Sequence, residues 1–181
     1  LSSEAAGNFR IFPKKTLYAL TQATWQRYLS SKEDDAYAWQ VLPDLLPKLT
    51  HDKQDQLLGA LSRDTSQVLY SLADSMAPQL RYSEGAACWK IQVWFSERLS
   101  RSAPENAQFA RDLSISYDKL GDMQQALGNS RAALSIYQQG LEIAERLSNS
   151  APENAQFARD LSVSYSKLGD MQQALGNSQA A

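Results

Sequence analysis

Residues 97–133 read ERLSRSAPENAQFARDLSISYDKLGDMQQALGNSRAA, and residues 145–181 read ERLSNSAPENAQFARDLSVSYSKLGDMQQALGNSQAA. The two stretches lie 48 residues apart and are identical at 33 of 37 positions. The four differences are Arg101/Asn149, Ile115/Val163, Asp118/Ser166 and Arg131/Gln179. Repetition at a fixed period is typical of repeat proteins, in which each unit packs against its neighbours. The sequence therefore predicts a tandem array.

A weaker copy of the repeat precedes these two. Arg63 and Trp89 stand one period before Arg111 and Tyr137, and no convincing match continues further back. The second copy ends within the repeat, so we expect the parent chain to be longer. The predicted segments are an N-terminal helical segment, cap or divergent repeat at 1–53, a degenerate repeat at 54–101, a repeat at 102–149 and a truncated repeat at 150–181.

Each unit predicts two helices. Apolar residues such as Phe109 and Leu113 recur at helical spacing, and Ser102 and Glu105 have the spacing of a capping box that starts the first helix. Gly128 is typical of a helix end. Since helices joined by two or three residues pack antiparallel, the predicted fold class is all-α, an α-solenoid of stacked antiparallel helix hairpins. We expect the first helix of each repeat, called a first-type helix below, at 103–127 and 151–175. The second helix of the repeat, called a second-type helix, is expected at 130–148.

Aromatic and small residues recur at fixed intervals within the unit. In the first copy they are Tyr117, Leu120, Gly121, Gly128, Ala133, Tyr137 and Gly140. This pattern resembles the tetratricopeptide repeat over residues of about 65–181, which implies a superhelix of helix hairpins. The resemblance also implies that Gly121 and Gly140 lie at close helix–helix contacts.

The chain departs from the tetratricopeptide pattern in three ways. Gln124 stands where that family has Tyr, and Glu145 stands where it has a terminating Pro. The period is 48 residues against about 34 in the family. The extra residues predict a first helix that is longer at its N-terminal end.

The resemblance implies a peptide-binding groove on the first helices. It maps onto Ile115, Asp118, Asp122 and Gln125 in the first copy and onto Val163, Ser166, Asp170 and Gln173 in the second. Helical spacing adds Gln108, Arg111, Gln156 and Arg159 to the same faces. A merely solvated helix face is the alternative for these residues, and the outer face of the second helices is the alternative binding surface. The aspartates disfavour the clamp that some family members use for a chaperone's terminal carboxylate.

Composition excludes several classes of protein. The 181 residues carry a net charge of −2, spread evenly along the chain, which argues against nucleic acid and anionic membranes as partners. One His and one Cys exclude a Cys/His zinc site and an intrachain disulfide. No Gly-rich phosphate loop or nucleophile elbow occurs. We therefore expect no enzyme, no cofactor and no metal, and the lone Cys88 favours a cytoplasmic location.

The function that these features favour is a non-catalytic scaffold that binds a protein or peptide of mixed or basic charge. One alternative is a sensor or regulatory arm of a multidomain signalling ATPase or protease. Another is a homo-oligomerisation module. Self-association is also expected at the C-terminal end, where Leu161, Tyr165 and Leu168 lack a complete second helix to cover them.

Overall fold

The computed structural model describes residues 14–30, 41, 45, 48–50, 52–53, 56–57, 66, 70–71 and 73–176. Within them, five α-helices have defined bounds, and no residue is in a β-strand. The predicted all-α class is thus confirmed for this part of the chain. The helices are α1 (Lys14–Ser30), α2 (Tyr82–Ser102), α3 (Ala107–Ala126), α4 (Ser130–Ser150) and α5 (Ala155–Ala174), with a short 3-10 helix at Ala77–Gln79.

The chain divides into two compact units, Leu1–Ser75 and Met76–Ala181. The first unit contains α1, in which Trp25 is buried and the hydroxyls of Thr21 and Thr24 donate to backbone carbonyls one turn earlier. The second unit contains α2 to α5 and both near-identical copies of the repeat. The division falls inside the segment 54–101, which the sequence predicts to be a degenerate repeat.

The first-type helices begin at asparagine caps. The Asn106 side chain accepts from the backbone N–H groups of Gln108 and Phe109, at 3.1 and 3.4 Å, and Asn154 repeats this cap in α5. The predicted capping box is wrong, because Ser102 is the last residue of α2 and its hydroxyl donates to the Leu99 carbonyl at 2.8 Å. The backbone leaves the helical conformation at Ala103 (φ −142°, ψ 75°), so α3 begins about four residues later than expected.

The helices α3 and α4 form an antiparallel hairpin. Gly128, at φ +77°, makes the turn between them in a conformation that favours glycine. A Cβ on Gly121 would lie 2.4 Å from Cε1 of Tyr137, and a Cβ on Gly140 would lie 2.9 Å from Oδ1 of Asp118. Contacts later in α4 therefore fall earlier in α3, as antiparallel packing requires. Both glycines lie at close helix–helix contacts, as the sequence predicts.

The same packing continues on both sides of this hairpin. α3 packs against α2 as well as α4, and α5 packs against α4 and at fewer points against α3. The Tyr117 hydroxyl donates to Glu97 of α2 at 2.6 Å, and 48 residues later the Tyr165 hydroxyl donates to Glu145 of α4. Cys88 is buried in α2. The first-type helices therefore make equivalent contacts with the second-type helix that precedes them.

We predict that Gly121→Ala destabilises the protein, by about 1–3 kcal/mol, because its methyl group would overlap the buried Tyr137 ring. Gly169 is the matched control, since it occupies the same position in the second copy and a Cβ there would meet no atom within 4 Å. Gly169→Ala should leave stability unchanged or raise it by up to ~1 kcal/mol through helix propensity. Urea unfolding measures both, and equal effects of the two substitutions would contradict the packing described.

Candidate binding surface

The predicted groove residues form two equivalent helix faces. The α3 stripe comprises Gln108, Arg111, Ile115, Asp118, Asp122 and Gln125, and the α5 stripe comprises Gln156, Arg159, Val163, Ser166, Asp170 and Gln173. Residues spaced three and four apart share one face of a helix. The structure places the two stripes in different surroundings, although their sequences are nearly the same.

The N-terminal half of the α3 stripe contacts α5 through an ion pair. Nε of Arg111 lies 2.6 Å from Oδ2 of Asp160, and its Nη2 lies 3.3 Å from Oδ1 of the same carboxylate. Both side chains are largely covered, with 18% and 24% of their surfaces exposed. A two-point contact of this kind fixes the relative position of two helices as well as attracting them.

Asp118 lies buried where α3, α4 and α5 meet. Its Oδ2 accepts from the Ser164 hydroxyl at 3.1 Å, while its Oδ1 has no hydrogen-bond partner among the described residues and sits beside Gly140. Burial raises the pKa of the Asp118 carboxyl from 3.8 to about 6, with Lys167 and Ser164 opposing the rise and nearby aspartates adding to it. Asp118 is therefore an interhelix contact, and its expected exposure in an open groove is not observed.

Asp122 contacts α4 and α5 in the C-terminal half of the α3 stripe. It accepts from the Tyr137 hydroxyl at 2.8 Å and from the Lys167 ammonium group of α5. The Lys167 ammonium also lies 5.5 Å from the centre of the Tyr137 ring, within range of a cation–π interaction. Burial, followed by the Asp122 charge and hydrogen bond, raises the pKa of the Tyr137 hydroxyl, which stays protonated as the donor.

The remaining α3 stripe residues differ in exposure. Ile115 is half-buried between Arg111 and Asp118, whereas Gln108 and Gln125 are exposed. The Gln108 amide donates to Asp112 one turn later at 2.7 Å. The α3 stripe is thus a surface on which another helix, α5, is docked in parallel, through contacts that lie 49, 46 and 45 residues apart in sequence.

The α5 stripe is exposed along its whole length. Each of its six residues is accessible, and 44% of the surface of Val163 faces solvent. The Ser166 hydroxyl donates only within its own helix, to the Ser162 carbonyl. The stripe therefore presents a cation at Arg159, an apolar and a small residue in its middle, and an anion at Asp170.

Sequence reasoning missed the residues that dock onto the α3 stripe, namely Asp160, Ser164 and Lys167. A signal for them was present, because each copy places Arg and Asp side by side in Ala-Arg-Asp-Leu-Ser. Adjacent residues project about 100° apart on a helix, so each first-type helix carries a cation on one face and an anion on the next. Such a helix can pair with a parallel copy of itself.

A second concave surface lies on the opposite side of α3. A crevice of about 880 Å³ opens between α2 and α4, over the first half of α3. Its lining combines the apolar side chains Ala110, Leu113, Tyr117, Ile143 and Leu147 with the charged side chains Glu97, Arg101, Glu105, Glu142 and Arg146. The outer face of the second helices, the alternative binding surface, carries Arg131, Ser135 and Glu142, of which Glu142 lines this crevice.

Within the described ranges, no three or more His, Cys, Asp and Glu side chains group in a way that could hold a metal ion. His51 lies outside the described residues. None of the helices in that part of the chain combines the length and hydrophobicity of a membrane span. No protein-family model matches the chain, and no curated protein or solved structure shows significant similarity to it.

We predict that Asp118→Asn stabilises the protein at neutral pH and not in acid. The folded-state pKa of about 6 lies above the ordinary 3.8, so the stability due to the protonated carboxyl is complete below about pH 4 and is lost as the pH rises through 6. Asn stays neutral and still accepts from Ser164, so the variant should exceed the parent by about 1–3 kcal/mol at pH 7.5 and equal it near pH 4. Thermal unfolding at both pH values measures this, with exposed Asp170→Asn as control; a gain independent of pH would refute the assignment.

We predict that Arg111→Ala costs about 1 kcal/mol in unfolding free energy, because it leaves the Asp160 carboxylate without its cation. The same substitution in the second copy, Arg159→Ala, removes an exposed side chain and should change stability by less than about 0.5 kcal/mol. Adding Asp160→Ala to each variant completes a double-mutant cycle. Coupling of Asp160 to Arg159 rather than to Arg111 would contradict the observed pairing.

Proposed function

We propose that the chain is a non-catalytic protein-binding scaffold, a tetratricopeptide-like α-solenoid of stacked antiparallel helix hairpins. The proposal is supported by interhelix contacts that recur with the 48-residue period of the sequence, such as Tyr117–Glu97 and Tyr165–Glu145. Stacking of such units gives an extended surface on which partners bind. A cytoplasmic location remains a prediction.

The main support for the proposal is that the α3 and α5 stripes have different surroundings. The α3 stripe is occupied by a helix, through contacts of Arg111, Asp118 and Asp122 with α5, whereas the equivalent α5 stripe is open to solvent. The same residue pattern that receives a helix in one copy is presented free in the other. We infer that the α5 stripe receives a helical segment of a partner protein.

The α3–α5 contact also indicates the chemistry of that partner. The docked helix supplies an acidic residue, a hydroxyl four positions later and a lysine three positions after that, at Asp160, Ser164 and Lys167. The α5 stripe keeps the matching Arg159 and Asp170 at its two ends. A partner helix of mixed charge, with its acidic residue toward its N-terminus and its basic residue about two turns later, fits both ends.

A peptide with the α3 sequence, residues 107–126, is a suitable probe. It carries Asp112, Ser116 and Lys119 at the spacing of the docked helix. We expect a labelled peptide to bind the intact chain in a fluorescence anisotropy titration, with affinity that falls as salt increases because the end contacts are ionic. Exchange of Asp112 and Lys119 within the peptide should weaken binding about fivefold to tenfold.

The matched protein variant is Asp170→Lys, which should weaken the normal peptide and leave the unfolding transition unchanged. Asp122 is unsuitable for this purpose, because a lysine there would face Lys167 and remove one of the two acceptors of the Tyr137 hydroxyl, leaving only Gln125. Equal affinity for the normal and exchanged peptides, or no binding of either, would contradict the proposal. Binding unaffected by Asp170→Lys would instead place the partner on the crevice between α2 and α4.

A further inference from the structure

The residues of the α5 stripe form pairs that lie at equal distances from its midpoint, and the charged pair has opposite signs. From N- to C-terminus it reads Gln156, Arg159, Val163, Ser166, Asp170 and Gln173. Its midpoint falls between Ser164 and Tyr165. Arg159 and Asp170 are equidistant from that point, as are Val163 and Ser166, and as are the two glutamines. An identical helix running in the opposite direction therefore brings a cation opposite an anion at both ends.

We propose that two copies of the chain associate through their α5 stripes, packed antiparallel about a two-fold axis near this midpoint. Arg159 of each copy pairs with Asp170 of the other, so the interface contains two equivalent ion pairs. Val163 packs against Ser166 of the second copy, and Gln156 lies opposite Gln173 of the second copy, where the two amides exchange hydrogen bonds. Such an interface is isologous and closes on itself as a dimer.

Two observations favour a second copy as the occupant of this surface. The first is the charge complementarity, which needs both ends of the stripe free, and both Arg159 and Asp170 are exposed. The second is the exposure of an apolar residue between the two charges, since 44% of the surface of Val163 faces solvent. The apolar exposure gives association a driving force, and the charges select the antiparallel register.

The first copy of the repeat has the same symmetry at its ends, where Arg111 and Asp122 are equidistant from the midpoint, but a different pair at its centre. In the α3 stripe the residues nearest the midpoint are Ile115 and Asp118, so an antiparallel pair would place a branched apolar side chain against a carboxylate. Two of the four differences between the copies fall at these positions, and they replace that pair by Val163 and Ser166. The α3 stripe is moreover engaged by Asp160 and Lys167. The dimer contact is therefore specific to α5.

The expected association is weak and sensitive to salt. A single helix face from each copy gives an interface at the small end of those known for specific complexes, and exposed ion pairs are screened by ions. This inference shares the α5 stripe with the proposed function, but it names a different occupant. A chain that is monomeric and still binds the 107–126 peptide overturns only the dimer. A chain that dimerises, but does not bind the peptide when diluted until it is monomeric, overturns only the helix-binding proposal.

Sedimentation velocity over a range of concentrations at low salt, with charge-reversal variants, tests the proposal. Arg159→Glu alone places a glutamate opposite Asp170 twice, and Asp170→Lys alone places a lysine opposite Arg159 twice. Each single variant should therefore associate about tenfold more weakly than the parent, or more weakly still. An equimolar mixture of the two should restore association, because each mixed interface then contains one introduced glutamate–lysine pair and one original Arg159–Asp170 pair. The variant with both substitutions should also associate by itself.

Arg131→Glu is the matched control, since it makes the same charge change at an exposed position of α4 outside the stripe, and it should associate like the parent. Circular dichroism of each variant shows whether the helices are retained. Restoration in the mixture supports the antiparallel register, because loss of folding in either single variant could not produce it. A monomeric parent, a mixture that stays monomeric, or single variants that associate like the parent would each overturn the proposal.

Discussion

The packing of the Tyr137 ring onto Gly121 is the contact on which the arrangement of α3, α4 and α5 depends. The ring is 1% exposed and lies against a backbone position where even a methyl group would overlap it. Met171 of α5 packs against the same cluster, and the Tyr137 hydroxyl donates to Asp122, which also binds Lys167. One aromatic side chain thus joins three helices, because its apolar face and its polar edge are used at the same time.

Nearly identical sequences occupy different environments in this chain. Gly121 lies under a tyrosine ring, whereas a Cβ on Gly169 would meet open space. Arg111 is ion-paired with α5, whereas Arg159 is exposed. In a stacked array each unit is stabilised by its neighbours, so the environment of a residue depends on which neighbour is present as much as on its own sequence. Three exposed positions of α5, Arg159, Ser166 and Asp170, have counterparts in α3 that contact α5, and the proposed binding surfaces include them.

The proposed parallel docking of a partner helix and the proposed antiparallel dimer use the same two charges. Arg159 and Asp170 can pair with a mixed-charge helix in one direction or with a second copy in the other, so the two modes exclude each other. Individual exposed ion pairs contribute about 0–1 kcal/mol. Charge therefore determines direction and register more than affinity, and Val163 supplies apolar surface for either mode.

The helical class, the antiparallel hairpin and the close contacts at Gly121 and Gly140 could be predicted from the sequence, because helix periodicity, short connections and missing side chains are properties of neighbouring residues. The starts of α3 and α5 were missed because Ser102 and Asn106 both suit a cap, and only the continuation of α2 to Ser102 and the non-helical backbone at Ala103 select the asparagine. The burial of Asp118 could not be read from its helix. It depends on Ser164 and Gly140, which belong to two other helices. The spacing of residues along one helix determines which of them share a face, but only the tertiary structure determines which faces are covered, because the covering helix is distant in sequence.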